Sequence, residues 1–228
     1  MKPALGNDLI DRAAAHNLGR ARQPRFLSRV LTEAEQAQLA AEADGDLGFA
    51  RLWSAKEAAY KAAKKVQPGL VFAPRRWQVE VAWLGDPAEA IEGAVAIDAE
   101  TRAQVRWWLT GTWLHCIALI GPNPSRLDWR VCRSSDQDLS ADHASARERQ
   151  GFSRSESAGV RALARGLLAE HGMVDIEILR EAEGNTRQPP RIHQRGVWRD
   201  DLDLSLSHDG AWLAAAIIIG TAGPNDTH

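Results

Sequence analysis

Apolar and polar positions alternate strictly in two short stretches of the chain, Trp77-Gln78-Val79-Glu80-Val81 and Asp175-Ile176-Glu177-Ile178. A period of two is the mark of a half-buried strand. Two pairs of longer apolar stretches follow, Val105 to Leu109 with Trp113 to Ile120, and Leu202 to Leu206 with Ala211 to Ile219. Thr110-Gly111-Thr112 and Asp209-Gly210 supply turn residues between the members of each pair, so each predicts a hairpin. The longest apolar run, Ala211 to Ile219, is about half a membrane span and reads as a buried strand. Trp53 to Lys61 carries the spacing of a helix, with Glu57 and Lys61 four apart on one face.

The same order of elements occurs twice. Gly48-Phe49-Ala50-Arg51-Leu52-Trp53-Ser54-Ala55 and Gly151-Phe152-Ser153-Arg154-Ser155-Glu156-Ser157-Ala158 share the pattern G-F-x-R-x-x-S-A, and the strand opening at Trp113 matches the one opening at Trp212. Repetition at a fixed spacing points to a duplicated unit. Each copy offers a helix, a middle strand and a closing strand pair. The expected fold is therefore α+β, two similar halves packed as a pseudo-twofold dimer within one chain, with a cleft between them. The halves are expected at 1–121 and 126–228, separated by a linker at 122–125, since Gly121-Pro122-Asn123-Pro124 stops a strand. Aligned on these anchors, Lys56, Glu57 and Lys61 fall opposite Gly159, Val160 and Ala164, while Ser207-His208 falls opposite Trp108-Leu109. One cleft would carry chemistry and the other would be blank.

Composition narrows the classes. The chain has 228 residues, 44% hydrophobic and 25% charged, with 28 Lys plus Arg against 30 Asp plus Glu. That is ample for a globular core and, being near neutral, gives no support to nucleic-acid binding. The nine tryptophans follow strand and helix faces and are read as core. Charge is uneven, however. Seven basic residues and only one acidic residue, Glu57, lie between Arg51 and Arg76, and Arg20, Arg22, Arg25 and Arg29 crowd another stretch. Such clusters are solvated faces or anion-binding surfaces. The two cysteines, Cys116 and Cys132, have no metal-ligand spacing, and no signal peptide precedes them, so a cytoplasmic location is expected and no membrane association.

Candidate chemistry gathers in three segments: Gly6-Asn7-Asp8-Leu9-Ile10-Asp11, Trp53-Ser54-Ala55-Lys56-Glu57-Ala58-Ala59-Tyr60-Lys61 and Ser205-Leu206-Ser207-His208-Asp209. Taken alone, Ser54-x-x-Glu57 also fits a helix capping box and Glu57 to Lys61 a surface ion pair. His208 taken alone fits a structural histidine as well as a ligand. His16, His115, His143, His171, His193 and His228 show no partner spacing and are read as structural or exposed.

Together, the G-x-D, W-x-x-K-E-A-x-x-K and S-x-S-H patterns resemble the 4′-phosphopantetheinyl transferases. The order resembles that of the small holo-acyl-carrier-protein synthases. Relative to two-half, surfactin-type members, the halves are permuted. The resemblance implies transfer of phosphopantetheine from coenzyme A to a serine of an apo acyl or peptidyl carrier protein, dependent on Mg²⁺, with Mn²⁺ as a possible substitute. Asp8 and Glu57 would hold the metal, with Asp11 a weaker third candidate, and the family's second metal position falls at Ile10. Asp8, Glu57 and Lys61 would be catalytic, Glu57 also accepting the serine proton. Ser207, His208, Arg154, Arg165, Arg187 and Lys56 would contact coenzyme A. Arg187 lies in Gly184-Asn185-Thr186-Arg187-Gln188-Pro189, similar to the family's G-K/R-P segment but with Gln188 inserted. The Arg20 to Arg29 cluster would dock the carrier. The assembly is expected to be a monomer, and a non-catalytic coenzyme A or carrier-binding module is the alternative function.

Overall fold

The fold is built around strand β1 (Ala4–Asp11), every residue of which is buried. A computed structural model describes residues 2–82, 90–136, 144–150, 155–183 and 186–220. After β1 come helices α1 (Pro24–Val30), α2 (Glu33–Ala40) and α3 (Gly45–Val66), then strands β2 (Gln78–Ala82), β3 (Ile91–Ala96), β4 (Arg102–Leu109) and β5 (Trp113–Ile120). These strands form one antiparallel sheet in the order β1-β5-β4-β3-β2. The remaining elements are β6 (Arg126–Arg133), α4 (Ala146–Gln150), α5 (Ser155–Ala169), β7 (Ile176–Leu179), β8 (Ala182–Glu183), β9 (Thr186–Arg187), β10 (Arg191–Gln194), β11 (Val197–Trp198), β12 (Leu202–Asp209) and β13 (Trp212–Ile219). They give a second antiparallel sheet, β12-β13-β6, beside a small one, β11-β10-β7. The chain is thus a mixed α+β protein. Among the described residues, no helix is long and apolar enough to cross a membrane.

Helix α3 lies against β1 and β5 through small side chains. Ala55, Ala58, Ala59, Ala62 and Ala63 have no exposed surface. Gly6 is what permits the approach, because a Cβ there would stand 1.9 Å from the carbonyl oxygen of Ala58. The helix starts at Asp44, whose carboxylate accepts the Leu47 N–H. Ser54 is therefore not a cap: it sits mid-helix, donating to the Arg51 carbonyl and accepting the Trp107 indole N–H. Trp53 belongs to an aromatic cluster with Phe26, Phe49 and Phe72, so its part in the helix motif is packing.

The outer edge of β1 faces β12 and is satisfied by side chains. The N–H groups of Leu5, Asn7 and Asp11 donate to Asp203 Oδ2, Ser205 Oγ and Asp209 Oδ2, each at 2.8 Å. An edge strand with unpaired amides is thereby closed, and the two sheets are held in a single register. Lys65 of α3 fastens the same junction, donating to the Leu5 carbonyl, Asp203 Oδ1 and the Leu204 carbonyl at 2.6 to 2.7 Å.

Both predicted hairpins are present as β4-β5 and β12-β13. Strand β3 escaped the sequence pattern because its side chains are small. Gly93 faces Trp107, and an added Cβ would come within 2.9 Å of that ring. Strand β6 was also missed, although it pairs with β13 along its full length. The second G-F-x-R segment, with Arg154, and also His143 and His228 lie outside the described residues.

Candidate functional site

Register places the first site residue. Because Gly6 lets α3 settle on β1, Asp8, two residues along the same strand face, comes beneath the helix beside Lys61. Lys61 Nζ donates to Asp8 Oδ1 at 2.9 Å and to the Asn7 carbonyl at 2.8 Å, and reaches Ser207 Oγ at 3.3 Å. Ser207, in β12, donates to the same Asp8 oxygen at 3.1 Å. Three segments remote in sequence thus converge on one carboxylate.

Glu57, one turn before Lys61, lines a cleft of about 390 Å³ together with Asp8, Ile10, His208, Asp209 and His16. Burial, reinforced by the Asp8 charge and opposed by Lys61, pushes the Glu57 carboxyl up from its ordinary 4.5 to about 7. Burial likewise raises Asp8, against the pull of Lys61 and Ser207. The two carboxylates therefore share one desolvated space with a single ammonium group bonded to Asp8. The expected Glu57 to Lys61 pair is not a solvent-exposed helix decoration, since Lys61 is spent on β1 and β12.

His208 is exposed and lines the cleft. Ser207 is buried and bound to Asp8 and Lys61, so it supports the acidic pair and does not face the cleft as a ligand contact. Asp11 is also structural. In an extended strand it points away from the acidic pair, and its oxygens accept the Ala13 and Ala211 N–H groups at 2.9 Å.

Two further expectations are corrected. Lys56 has no exposed surface, and its ammonium donates to Glu35 Oε2 (2.6 Å), the Pro74 carbonyl (2.7 Å) and the Val30 carbonyl (3.0 Å), which uses all three hydrogens inside the protein. Arg165 is paired with the buried Glu148 at 2.8 Å and faces inward. Neither is placed to meet a nucleotide. Arg187 lies in β9, paired with Ala182.

Sequence reasoning missed the pair His16 and Asp209. His16 Nε2–H donates to Asp209 Oδ1 at 2.6 Å, and Asp209 Oδ2 accepts from Asn17 Nδ2 and from the Asp11 N–H. The only signal available was the acidic residue following S-x-S-H, and nothing in the spacing connects it to a histidine in the first strand-to-helix loop. A second hollow, of about 180 Å³, borders Lys61 on another side and is lined by Tyr60, Lys64, Lys65, Arg180 and Pro189. It shares Lys64, Lys65 and the 188–190 segment with a hollow of about 440 Å³ that adds Lys2, Arg191 and Arg199. The basic residues of α3 thus line a track leading away from the acidic pair.

Asp8 and Glu57 form a donor set suited to a hard divalent cation that keeps most of its ligands as water or substrate oxygen. Burial is the main cause that raises both carboxyl groups, and a cation bound beside them would favour their charged forms. Ile10 at the third position supplies no donor, and among the described residues no group of three or more His, Cys, Asp or Glu side chains is arranged to enclose a metal. The set fits Mg²⁺ and does not fit a closed zinc site.

Residues 4–117, from β1 into β5, match the 4′-phosphopantetheinyl transferase superfamily. Among solved structures, the chain is similar to Thermotoga maritima holo-[acyl-carrier-protein] synthase, with 16% identity over 56% of this chain and 67% of that one and a TM-score of 0.35. A comparison with curated proteins finds no match.

Proposed function

Because this chain belongs to the 4′-phosphopantetheinyl transferase superfamily, we propose that it moves the phosphopantetheine group of coenzyme A onto a serine hydroxyl of an apo acyl or peptidyl carrier protein, using Mg²⁺. The observation that carries this reading is the meeting of Asp8, Glu57 and Lys61 at one cleft with His208 from the far end of the chain. Asp8 and Glu57 would hold the cation, which when bound supplies charge neutralisation at the pyrophosphate. Lys61, held by the Asn7 carbonyl and Asp8 but with 30% of its side chain exposed, would stabilise the negative charge that grows on the phosphate and the departing adenosine 3′,5′-bisphosphate. His208, exposed in the same cleft, is a donor for a phosphate oxygen. The hollows lined by Lys64, Lys65, Arg180 and Arg191 offer a basic path for the nucleotide.

The two halves are taken as copies of one unit, 1–121 and 126–228 joined by 122–125, and a monomer then suffices to build the cleft. The regular closure of the β1 edge by Asp203, Ser205 and Asp209 supports that reading.

The test is the mass of an apo carrier protein after incubation with the chain, coenzyme A and Mg²⁺. An increase by one phosphopantetheine group on serine is expected. Coenzyme A binding with no mass increase on acyl or peptidyl carriers would replace the transferase reading with that of a binding module.

A further inference from the structure

The acceptor in this reaction is a hydroxyl on another folded protein, so it must enter the cleft from outside. Glu57, on α3, is half-buried at the wall of the cleft, and a carboxylate holding a cation is a weaker proton acceptor. A base at the mouth of the cleft would meet the incoming hydroxyl first. The structure puts one there.

His16 has 53% of its side chain exposed and lines the same cleft as Asp8, Glu57 and His208. Its Nε2 sits 2.6 Å from Asp209 Oδ1. Asp209 is only 17% exposed and is itself held by Asn17 Nδ2 at 2.5 Å and by the Asp11 N–H at 2.8 Å. A carboxylate can only accept, so the neutral imidazole must carry its hydrogen on Nε2, which leaves the lone pair on Nδ1. Among the described residues, no protein group bonds Nδ1. The backbone that carries the ring is held as well, since Arg20 Nε donates to the His16 carbonyl at 2.7 Å. A partly buried carboxylate thus orients an exposed imidazole whose Nδ1 has no bonding partner among the described residues. The two come from β1's following loop and from the end of β12, so the pair forms only when both parts of the chain are folded together.

We propose that His16, oriented by Asp209, is the general base for the acceptor serine, a role that rests on the transferase reading. The serine O–H proton passes to His16 Nδ1 as the serine oxygen forms its bond to the phosphorus bearing the pantetheine arm. The bond from that phosphorus to the bridging oxygen breaks, and adenosine 3′,5′-bisphosphate leaves with the electron pair. Asp209 stabilises the resulting imidazolium and returns it to the same orientation. Arg20 ties His16 to the start of the basic segment that includes Arg22, Arg25 and Arg29, so a carrier resting on that segment would present its serine beside this ring.

The experiment is steady-state transfer with His16→Gln and His16→Ala, read separately for kcat, for the KM of the carrier and for coenzyme A binding. Base catalysis of this kind contributes on the order of 10²- to 10⁴-fold. A kcat lowered at least about 100-fold in both variants, with coenzyme A affinity unchanged, is expected. An unchanged kcat would overturn the inference and leave the transferase reading intact. A loss confined to the carrier KM would also overturn it, by making His16 a docking contact. Failure of the unaltered chain to label any carrier would overturn both.

Discussion

Helices α3 and α5 are held to their sheets by the same device and carry opposite outer faces. In the first, Glu35 completes a capping box with Thr32, accepts the Val79 N–H of β2 and pairs with Lys56 of α3. In the second, Glu148 accepts the Ser145 N–H, accepts the Ile178 N–H of β7 and pairs with Arg165 of α5. A buried carboxylate thus joins a helix cap, a strand amide and a helix cation in both places. Beyond the lock the two helices part. Stepping outward from the locked cation, α3 presents Glu57 and Lys61, whereas α5 presents Gly166 and is followed, just past its end, by Glu170, which is taken up by Arg130 at the surface. The lesson is that the anchoring residue and the reacting residue are neighbours in sequence with separate tasks. Lys56 belongs to the scaffold and Glu57 to the cleft.

The sharpest break of the comparison is at the reacting positions. Lys61→Ala should lower kcat by about 10²- to 10³-fold, the scale for one charge-stabilising group lost from a desolvated site, and Glu57→Gln should fall at least as far. Val160→Ala, on the other helix, should leave the rate of transfer unchanged even where it lowers the melting temperature. Carrier labelling kinetics at saturating coenzyme A check all three. Equal rates for Glu57→Gln and the unaltered chain would remove the assignment of the acidic pair.

The locks should respond alike to each other, though not equally. Glu35 and Lys56 are both fully buried, whereas Arg165 keeps 19% of its side chain exposed. Removing one member of a buried pair costs about 3–5 kcal/mol, and Glu35→Gln should reach that range in urea denaturation. Glu148→Gln should cost less, since water can reach Arg165. A larger loss for Glu148→Gln would mean that the C-terminal lock carries more of the fold than its burial suggests.

These locks also explain what the sequence could and could not convey. Period-two alternation disclosed β2 and β7, and apolar stretches joined by turn residues disclosed both hairpins, whose strands β5 and β13 are buried along most of their length. The G-x-D, W-x-x-K-E-A-x-x-K and S-x-S-H patterns named Asp8, Glu57, Lys61 and His208, all of which line the cleft or bond within it. Lys56 was misjudged because a charged residue beside a reactive one looks like a ligand contact until its burial is known. The two buried ion pairs suggest a different correspondence between α3 and α5 from the one read in the sequence. Anchoring on G-F-x-R sets Lys56 opposite Gly159, whereas the locks would set it opposite Arg165, a register visible only through the contacts of Glu35 and Glu148. Asp209 and His16 were out of reach for the same reason: their pairing depends on how β12 closes the edge of β1.

Glu57 also separates the two helices in their response to pH. Its folded-state carboxyl is raised to about 7 from 4.5, so between those values the folded chain binds more protons than the unfolded one, and stability falls as pH rises through that window. Over the whole window the loss is up to about 3 kcal/mol. In the presence of a chelator, Glu57→Gln should therefore be more stable than the unaltered chain at pH 8 and no different from it below pH 4.5. Urea midpoints at the two pH values decide it, and a variant that is less stable at pH 8 would show that the carboxylate is compensated in the folded state. Adding Mg²⁺ should narrow the gap by stabilising the unaltered chain alone.

The smallest effect tests the blank face directly. Gly166 occupies the place on α5 that Glu57 holds on α3, is exposed, and has nothing within 4 Å of a Cβ built on it. A glycine in a helix interior is less stable than alanine by roughly 0.5–1 kcal/mol, so Gly166→Ala should raise the urea midpoint by that amount and leave labelling kinetics untouched. The two readouts are independent because the position has no neighbour through which a methyl group could act on the cleft. A gain in stability accompanied by a fall in kcat would show that this face is used, and the contrast between an equipped helix and an unequipped one would then fail at the residue where it is most exposed.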